Sequence, residues 1–167
     1  MEALGRVGAQ RALEPETRLQ HALDLAYRHL GKRDRTVAQV RRHLEERGID
    51  APEVDAALRE LRHAGYLDDA RFARRFAEDR RHLDGWGARR IEQGLLAAGI
   101  ERELAAGAAA ERGAAGELDG AVDVLRQRFP HPPRDNRERN RALGLLVRRG
   151  YDFELACDAI RAHARGD

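Results

Sequence analysis

The chain of 167 residues has no serine, one lysine (Lys32) and one cysteine (Cys157), and these absences exclude several kinds of chemistry. A single cysteine can form neither an intramolecular disulfide nor a thiolate cluster for zinc. No G-x-x-x-x-G-K-[ST] segment is present to bind nucleotide phosphates, and the seven histidines never form H-E-x-x-H. We therefore expect no enzymatic activity, no cofactor and no metal ion.

Long apolar segments are also missing. No run of apolar residues approaches the 18 or so that a membrane-spanning helix requires. The first residues, "MEALGRVGAQRALEPE", lack the continuous apolar core of a secretory signal. We therefore expect a cytoplasmic protein that stays outside the membrane.

The apolar residues that are present recur at helical spacing. Leu19, Leu23, Ala26 and Leu30 are three or four positions apart, and no segment alternates apolar and polar residues as a strand does. The sequence therefore predicts an all-α fold.

Three glycines reveal an internal repeat, because Gly48, Gly99 and Gly150 are spaced 51 residues apart. A leucine stands four positions before each, an apolar residue follows each, and an acid comes next. Such a glycine ends a helix in a left-handed turn, the apolar residue packs back onto the helix, and the acid begins the next helix. These repeated positions predict an elongated array of three tandem three-helix units, with about nine helices, over residues 16–66, 67–113 and 114–167. Residues 1–15 do not fit the repeat and are predicted to be a disordered tail.

The paired acids Asp68 and Asp69, after the helix that ends near Gly65, have two interpretations. An Asp at this position caps the free N–H groups of the next helix, and a second Asp adds a favourable interaction with the helix dipole. Paired carboxylates could also hold Mg²⁺ or act as acid and base, but the sequence singles out no further converging ligand. Capping is therefore the favoured interpretation. The predicted structural set is Gly48, Gly65, Asp68, Asp69, Gly99 and Gly150.

Charge is unevenly distributed in a chain whose formal net charge is only +2. Residues 28–47 carry a net +4, residues 126–149 carry +6, and residues 101–123 carry −4. One interpretation is ordinary solvated helix faces. The other is a surface that meets phosphates or acidic protein patches.

Trp86, the only tryptophan, lies between two glycines, where it either anchors the core or serves as a partner hot spot. Adjacent arginines on a helix are about 100° apart, so at least one of Arg74 and Arg75, and one of Arg89 and Arg90, should be exposed. The predicted partner-binding candidates are Arg41, Arg42, Arg74, Arg75, Trp86, Arg89, Arg90 and Arg141.

Two segments together, "GYLDDARFARRFAEDRR" and "GWGARRIEQGLLAAGI", resemble the RecX family of RecA regulators. The similarity is strongest over residues 27–100 and loose in the third unit. Gly94, in the middle of a predicted helix, departs from the pattern and costs about 1 kcal/mol relative to Ala.

The resemblance implies a monomer that binds the RecA filament on single-stranded DNA and restrains filament extension, ATP hydrolysis and strand exchange. It also implies weak binding to single- or double-stranded DNA in some members, and no catalytic site. The alternative is a DNA-binding regulator whose three-helix units act like helix-turn-helix modules, with Arg41 and Arg42, or Arg89 and Arg90, on the helix that enters a groove.

Overall fold

The computed structural model describes residues 14–31 and 33–166, and over these residues it contains nine α-helices and no strand. The all-α prediction is therefore confirmed. Of the predicted tail, residues 1–13 lie outside the described residues, whereas Glu14 is the N-cap residue and Pro15 the first residue of the first helix. The helices are α1 (Pro15–Leu30), α2 (Val37–Glu46), α3 (Ala51–His63), α4 (Asp69–Asp84), α5 (Ala88–Ala97), α6 (Arg102–Ala110), α7 (Gly113–Arg128), α8 (Asn136–Arg148) and α9 (Phe153–Arg165).

The glycine turns that define the repeat have the same hydrogen bonds in all three copies. The N–H after each glycine donates to a leucine carbonyl five residues earlier, at 3.1 Å for Ile49, 3.0 Å for Ile100 and 3.1 Å for Tyr151. The glycines have φ of +78°, +83° and +92°, which L side chains rarely adopt. These are Schellman motifs, and each buries the apolar residue that follows its glycine.

The described chain forms two compact units, divided between Phe72 and Ala73 inside α4. The core of the first unit comes from α1 to α3 and includes Val40, Leu44 and Leu61. The second unit contains the rest of α4 and α5 to α9. One of its clusters packs α7, α8 and α9 around Leu125 and Leu146. The boundaries of the three predicted units remain a prediction.

Two turns of the second unit meet backbone to backbone, and we call this contact the backbone junction. In the α4–α5 turn, Gly87 N–H donates to the carbonyl of Arg149 at 2.8 Å. Arg89 N–H then donates to the carbonyl of Gly150 at 3.1 Å. A Cβ on Gly87 would lie only 2.7 Å from the carbonyl carbon and oxygen of Gly150. The close approach therefore requires glycine at position 87, although its φ of −83° is ordinary.

No helix in the described ranges is both long and apolar enough to cross a bilayer.

The backbone junction predicts opposite effects for two glycine-to-alanine substitutions. Gly87→Ala should lower the free energy of unfolding of the second unit by roughly 1–3 kcal/mol, because the methyl group overlaps backbone atoms that cannot rotate away. Gly107→Ala, in the interior of α6 with open space around its Cα, should stabilise by about 0.8–1 kcal/mol. Urea unfolding measures both. Equal effects of the two substitutions would contradict the junction.

Two half-buried histidines of the first unit stack between α1 and α2. The rings of His29 and His43 have centroids 3.9 Å apart and planes 11° from parallel. Burial, followed by the charge of His43 and of Arg35 and Arg47, lowers the pKa of His29, and Glu46 opposes this. Burial and the charge of Arg47 likewise lower the pKa of His43.

This pair predicts acid sensitivity of the first unit. Because both pKa values are lower in the folded state, the unfolded chain binds protons first as pH falls below about 6.5. The free energy of unfolding should therefore decrease from pH 7 towards pH 5, and less so in His43→Gln. Urea midpoints across this range provide the measurement, with the exposed His63→Gln as the control. A pH dependence that His43→Gln leaves unchanged would rule out the stacked pair as its source.

Candidate interaction surface

Asp68 and Asp69 each accept a backbone hydrogen bond at a different helix start. Asp68 accepts from Arg71 N–H at 2.8 Å, which is the bond of an N-cap residue. Asp69 reaches instead to α2, where it accepts from Val37 N–H at 2.9 Å. The two carboxylates therefore satisfy N–H groups of two helices. Among the described residues there is no cluster of three or more His, Cys, Asp or Glu side chains that could hold a metal ion.

Trp86 is half-buried in the α4–α5 turn, beneath arginines from both helices. The guanidinium carbon of Arg90 lies 4.3 Å from the tryptophan ring centroid, and that of Arg80 lies 5.3 Å away. Phe76 meets the ring edge to face, with centroids 6.3 Å apart. The indole ring of Trp86 is therefore in contact with side chains of its own chain. The role of Trp86 as a partner hot spot remains a prediction.

Gly94 provides space for these aromatic rings. A Cβ at this position would lie 2.8 Å from the tip of the Phe76 ring and 3.4 Å from Trp86. The sequence indicates only the cost of a glycine inside α5. The structure shows that an alanine there would require the Phe76 ring to move.

The four arginines of the middle segment are all exposed, two on α4 (Arg74, Arg75) and two on α5 (Arg89, Arg90). The prediction that at least one arginine of each pair is exposed is therefore confirmed, and in each pair both arginines are exposed. Arg89 forms an ion pair with Asp152 at 2.8 Å, and Arg90 donates to the carbonyl of Arg148 at 3.1 Å. The α5 pair therefore borders the backbone junction.

The remaining candidates lie apart along the chain. Arg41 of α2 is half-buried and paired with Asp55 at 2.7 Å, whereas its neighbour Arg42 is exposed. Arg141 lies on α8, in the second unit. The structure thus distributes the predicted set over both units. Binding by any of its members remains a prediction.

A basic groove of about 970 Å³ lies in the second unit, and we call it the α7–α8 groove. Phe129 follows the last residue of α7, and its carbonyl is 3.0 Å from the Nε2 atom of the buried His163. Four arginines and two asparagines supply the polar lining, namely Arg128, Asn136, Arg137, Asn140, Arg141 and Arg148. The net charge of +6 over residues 126–149 was visible in the sequence, but the side chains that share this groove were not.

Sequence reasoning also missed an exposed aromatic pair in the first unit. Tyr27 of α1 and Tyr66, which follows α3, meet edge to face with centroids 5.1 Å apart. Tyr66 is 56% exposed, so the pair presents aromatic surface to the solvent. Helical spacing is the sequence pattern that could predict such a contact. It does not apply to Tyr66, because this residue lies between two helices.

Comparison with known proteins identifies the family. Residues 22–61 match the family description "RecX, first three-helix domain", and residues 68–108 match "RecX, second three-helix domain". The chain is 34% identical over 161 residues to "Regulatory protein RecX" of Stenotrophomonas maltophilia (strain R551-3), covering 96% of this chain and 93% of that protein. It is 31% identical over 146 residues to the protein of that name from Mycobacterium sp. (strain JLS), covering 84% and 80% of the two chains. The chain therefore belongs to the RecX family.

A solved structure has the same fold. The crystal structure of RecX from Lactobacillus salivarius superposes with a TM-score of 0.79 at 16% identity, covering 89% of this chain and 97% of that one. At this identity the likeness concerns the fold alone. It agrees with tandem three-helix units.

The two aspartates predict a loss of stability that does not involve a metal. Asp68→Ala should lower the free energy of unfolding by about 0.5–2 kcal/mol through loss of the cap. Asp69→Ala should cost about 1–3 kcal/mol, because it leaves the Val37 N–H without its acceptor. Urea unfolding measures both against Asp79→Ala, an exposed position inside α4. If Mg²⁺ stabilises the wild type but neither variant, the pair binds metal and the capping interpretation is wrong.

Proposed function

We propose that this chain binds RecA filaments on single-stranded DNA and inhibits their extension, ATP hydrolysis and strand exchange. Membership of the RecX family supports a regulatory role, because the relatives are named regulatory proteins. The observation that carries the proposal is the exposure of all four arginines at positions 74, 75, 89 and 90. Their guanidinium groups can make bidentate bonds to the carboxylates or phosphates of a nucleoprotein filament.

The rigid support of the α5 pair favours this use. The N–H of Arg89 is part of the backbone junction, and Arg90 packs on Trp86 and donates to the carbonyl of Arg148. A guanidinium group held in one orientation loses less side-chain entropy when a partner binds. The proposal therefore assigns the middle segment to the contact surface.

The alternative, a DNA-binding regulator that reads a groove through helix-turn-helix-like units, receives less support. Of its proposed reading residues, Arg41 is already engaged, with Asp55 at 2.7 Å and Glu45 at 3.8 Å. An exposed ion pair contributes only about 0–1 kcal/mol, so these pairs can open. A regulator of this kind would bind one particular duplex without RecA.

The proposal predicts that charge reversal of the four arginines weakens inhibition of RecA. Replacing Arg74, Arg75, Arg89 and Arg90 by Glu should raise the protein concentration needed for half-inhibition at least tenfold, which is about 1.4 kcal/mol. Inhibition by the wild type should also weaken with salt, because exposed charges are screened over about 8–10 Å at physiological ionic strength. RecA ATPase on single-stranded DNA, titrated at two salt concentrations, provides the measurement.

Two controls separate binding from folding. Arg59→Glu/Arg62→Glu on α3 makes the same charge change as reversal of one pair, at exposed positions outside the proposed surface. Reversing the α4 pair and the α5 pair separately distinguishes surface contact from damage to the backbone junction, and helical circular dichroism and thermal melting report the damage. Superimposable inhibition curves for wild type and the fourfold variant would exclude these arginines from the surface.

A further inference from the structure

We propose that Gly94 is a positioning residue for Arg90. The missing side chain of Gly94 leaves the space in which the Phe76 ring supports Trp86, and Trp86 in turn holds the guanidinium group of Arg90 in one orientation at the surface. The proposal rests on the proposed filament binding and deepens it, since it names the residues that orient one of the contact arginines before a partner binds.

Two aromatic rings fill the space next to Gly94. A Cβ at this position would lie 2.8 Å from Cζ and 3.0 Å from Cε1 of Phe76, and 3.4 Å from Cζ3 of Trp86. The backbone of Gly94 does not have a positive φ, and a glycine inside a helix such as α5 is unfavourable compared with alanine. The conformation of the helix therefore gives no reason for glycine here, whereas the space taken by the rings does.

The Phe76 ring supports the indole of Trp86 from its edge. The two rings are 69° from parallel with centroids 6.3 Å apart, an arrangement in which the positive edge of one ring points towards the negative face of the other. The guanidinium carbon of Arg80 contacts both, 5.2 Å from the Phe76 centroid and 5.3 Å from that of Trp86. Arg80 is fixed in turn by Asp84 at 2.6 Å. A displacement of Phe76 would therefore move Trp86 or expose it.

Arg90 is held at both ends of its side chain. Next to the backbone, a Cβ on Gly150 would lie 2.4 Å from the Cβ of Arg90 and 2.5 Å from its N atom, so the two residues are in close contact. At the other end, the guanidinium carbon lies 4.3 Å from the Trp86 ring centroid, and Nη1 donates to the carbonyl of Arg148 at 3.1 Å. A guanidinium group has five N–H donors, so the exposed Arg90 keeps donors for an anionic group of a partner.

These contacts orient the guanidinium group of Arg90 without neutralising it. A ring face and a backbone carbonyl carry no net charge, whereas the neighbouring Arg89 is paired with the carboxylate of Asp152 at 2.8 Å. A side chain that is already ordered loses less entropy when a partner binds. Arg90 therefore contributes most to binding when Trp86 keeps its position, and this position depends on the space at Gly94.

The test compares Gly94→Ala with the wild type as inhibitors of RecA ATPase on single-stranded DNA. The concentration needed for half-inhibition should rise roughly two- to tenfold, because Arg90 must then be ordered during binding. Gly107→Ala is the matched control, since it makes the same change inside α6, where the added Cβ meets no atom within 4 Å. It should leave half-inhibition unchanged. Circular dichroism checks that each variant is folded.

Two double-mutant cycles show whether Gly94 acts through Phe76 and Arg90. Phe76→Leu removes the ring atoms that the new Cβ would meet, so Gly94→Ala should have little additional effect in this background. Arg90→Gln removes the guanidinium group, so Gly94→Ala should have little additional effect there as well. A general loss of stability caused by Gly94→Ala would instead add to the effect of either substitution.

Trp86 reports the same arrangement without the recombinase, because it is the only tryptophan of the chain. Phe76 and the guanidinium group of Arg90 shield the indole from solvent solutes. Acrylamide should therefore quench the fluorescence of Gly94→Ala more strongly than that of the wild type, and that of Gly107→Ala to the same extent. Arg90→Gln should also increase the quenching.

The outcomes separate this proposal from the function on which it rests. If the wild type inhibits RecA and Gly94→Ala inhibits equally well, the positioning role is wrong and the regulatory function stands. Unchanged quenching in Gly94→Ala, or additive effects in either cycle, would overturn the positioning role in the same way. A wild type that does not inhibit RecA would contradict the proposed function, and the use of Arg90 with it, whatever the quenching shows.

Discussion

The second unit depends on one contact between two turns, in which the backbone of Gly87 and Arg89 donates to the carbonyls of Arg149 and Gly150. No side chain can stand between these turns, since both Gly87 and Gly150 lack room for a Cβ. Backbone groups have no rotamers, so the contact fixes the two turns with little freedom. Arg149 strengthens it by donating to the carbonyl of Asp84. Burial raises the pKa of the adjacent Tyr151 to about 12, so this residue packs as a neutral phenol.

The backbone junction lies between two surfaces that both carry arginines. Arg90 lies on one side of it, stacked on Trp86, and its guanidinium donates to the carbonyl of Arg148. The side chain of Arg148 lines the α7–α8 groove. The start of α5 and the end of α8 are therefore connected by backbone hydrogen bonds within the second unit.

The sequence alone was sufficient for features that depend on local chemistry. Gly48, Gly99 and Gly150 were recognisable because a left-handed turn, an apolar return contact and an acid must follow one another in order. Asp68 as a helix cap follows from the same local logic. The contact from Asp69 to Val37 was not predictable, because it joins residues 32 positions apart in two different helices. The requirement for glycine at position 87 was likewise not predictable. Its φ is ordinary, and the lack of space for a Cβ arises from a turn far along the chain.

The arginines show why formal charge alone could not locate a site. Residues 28–47 and 126–149 are both strongly basic in sequence, yet the guanidinium groups differ in what surrounds them. In the first stretch, Arg41 faces two carboxylates, Glu45 at 3.8 Å and Asp55 at 2.7 Å, and an incoming anion must compete with both. In the second stretch, Asp135 and Glu138 accept from backbone N–H groups around the start of α8, and within the described residues Arg137 and Arg141 form no ion pair within 4 Å. The two basic stretches therefore differ in the partners of their guanidinium groups, and this difference depends on where each neighbouring carboxylate finds a backbone N–H group.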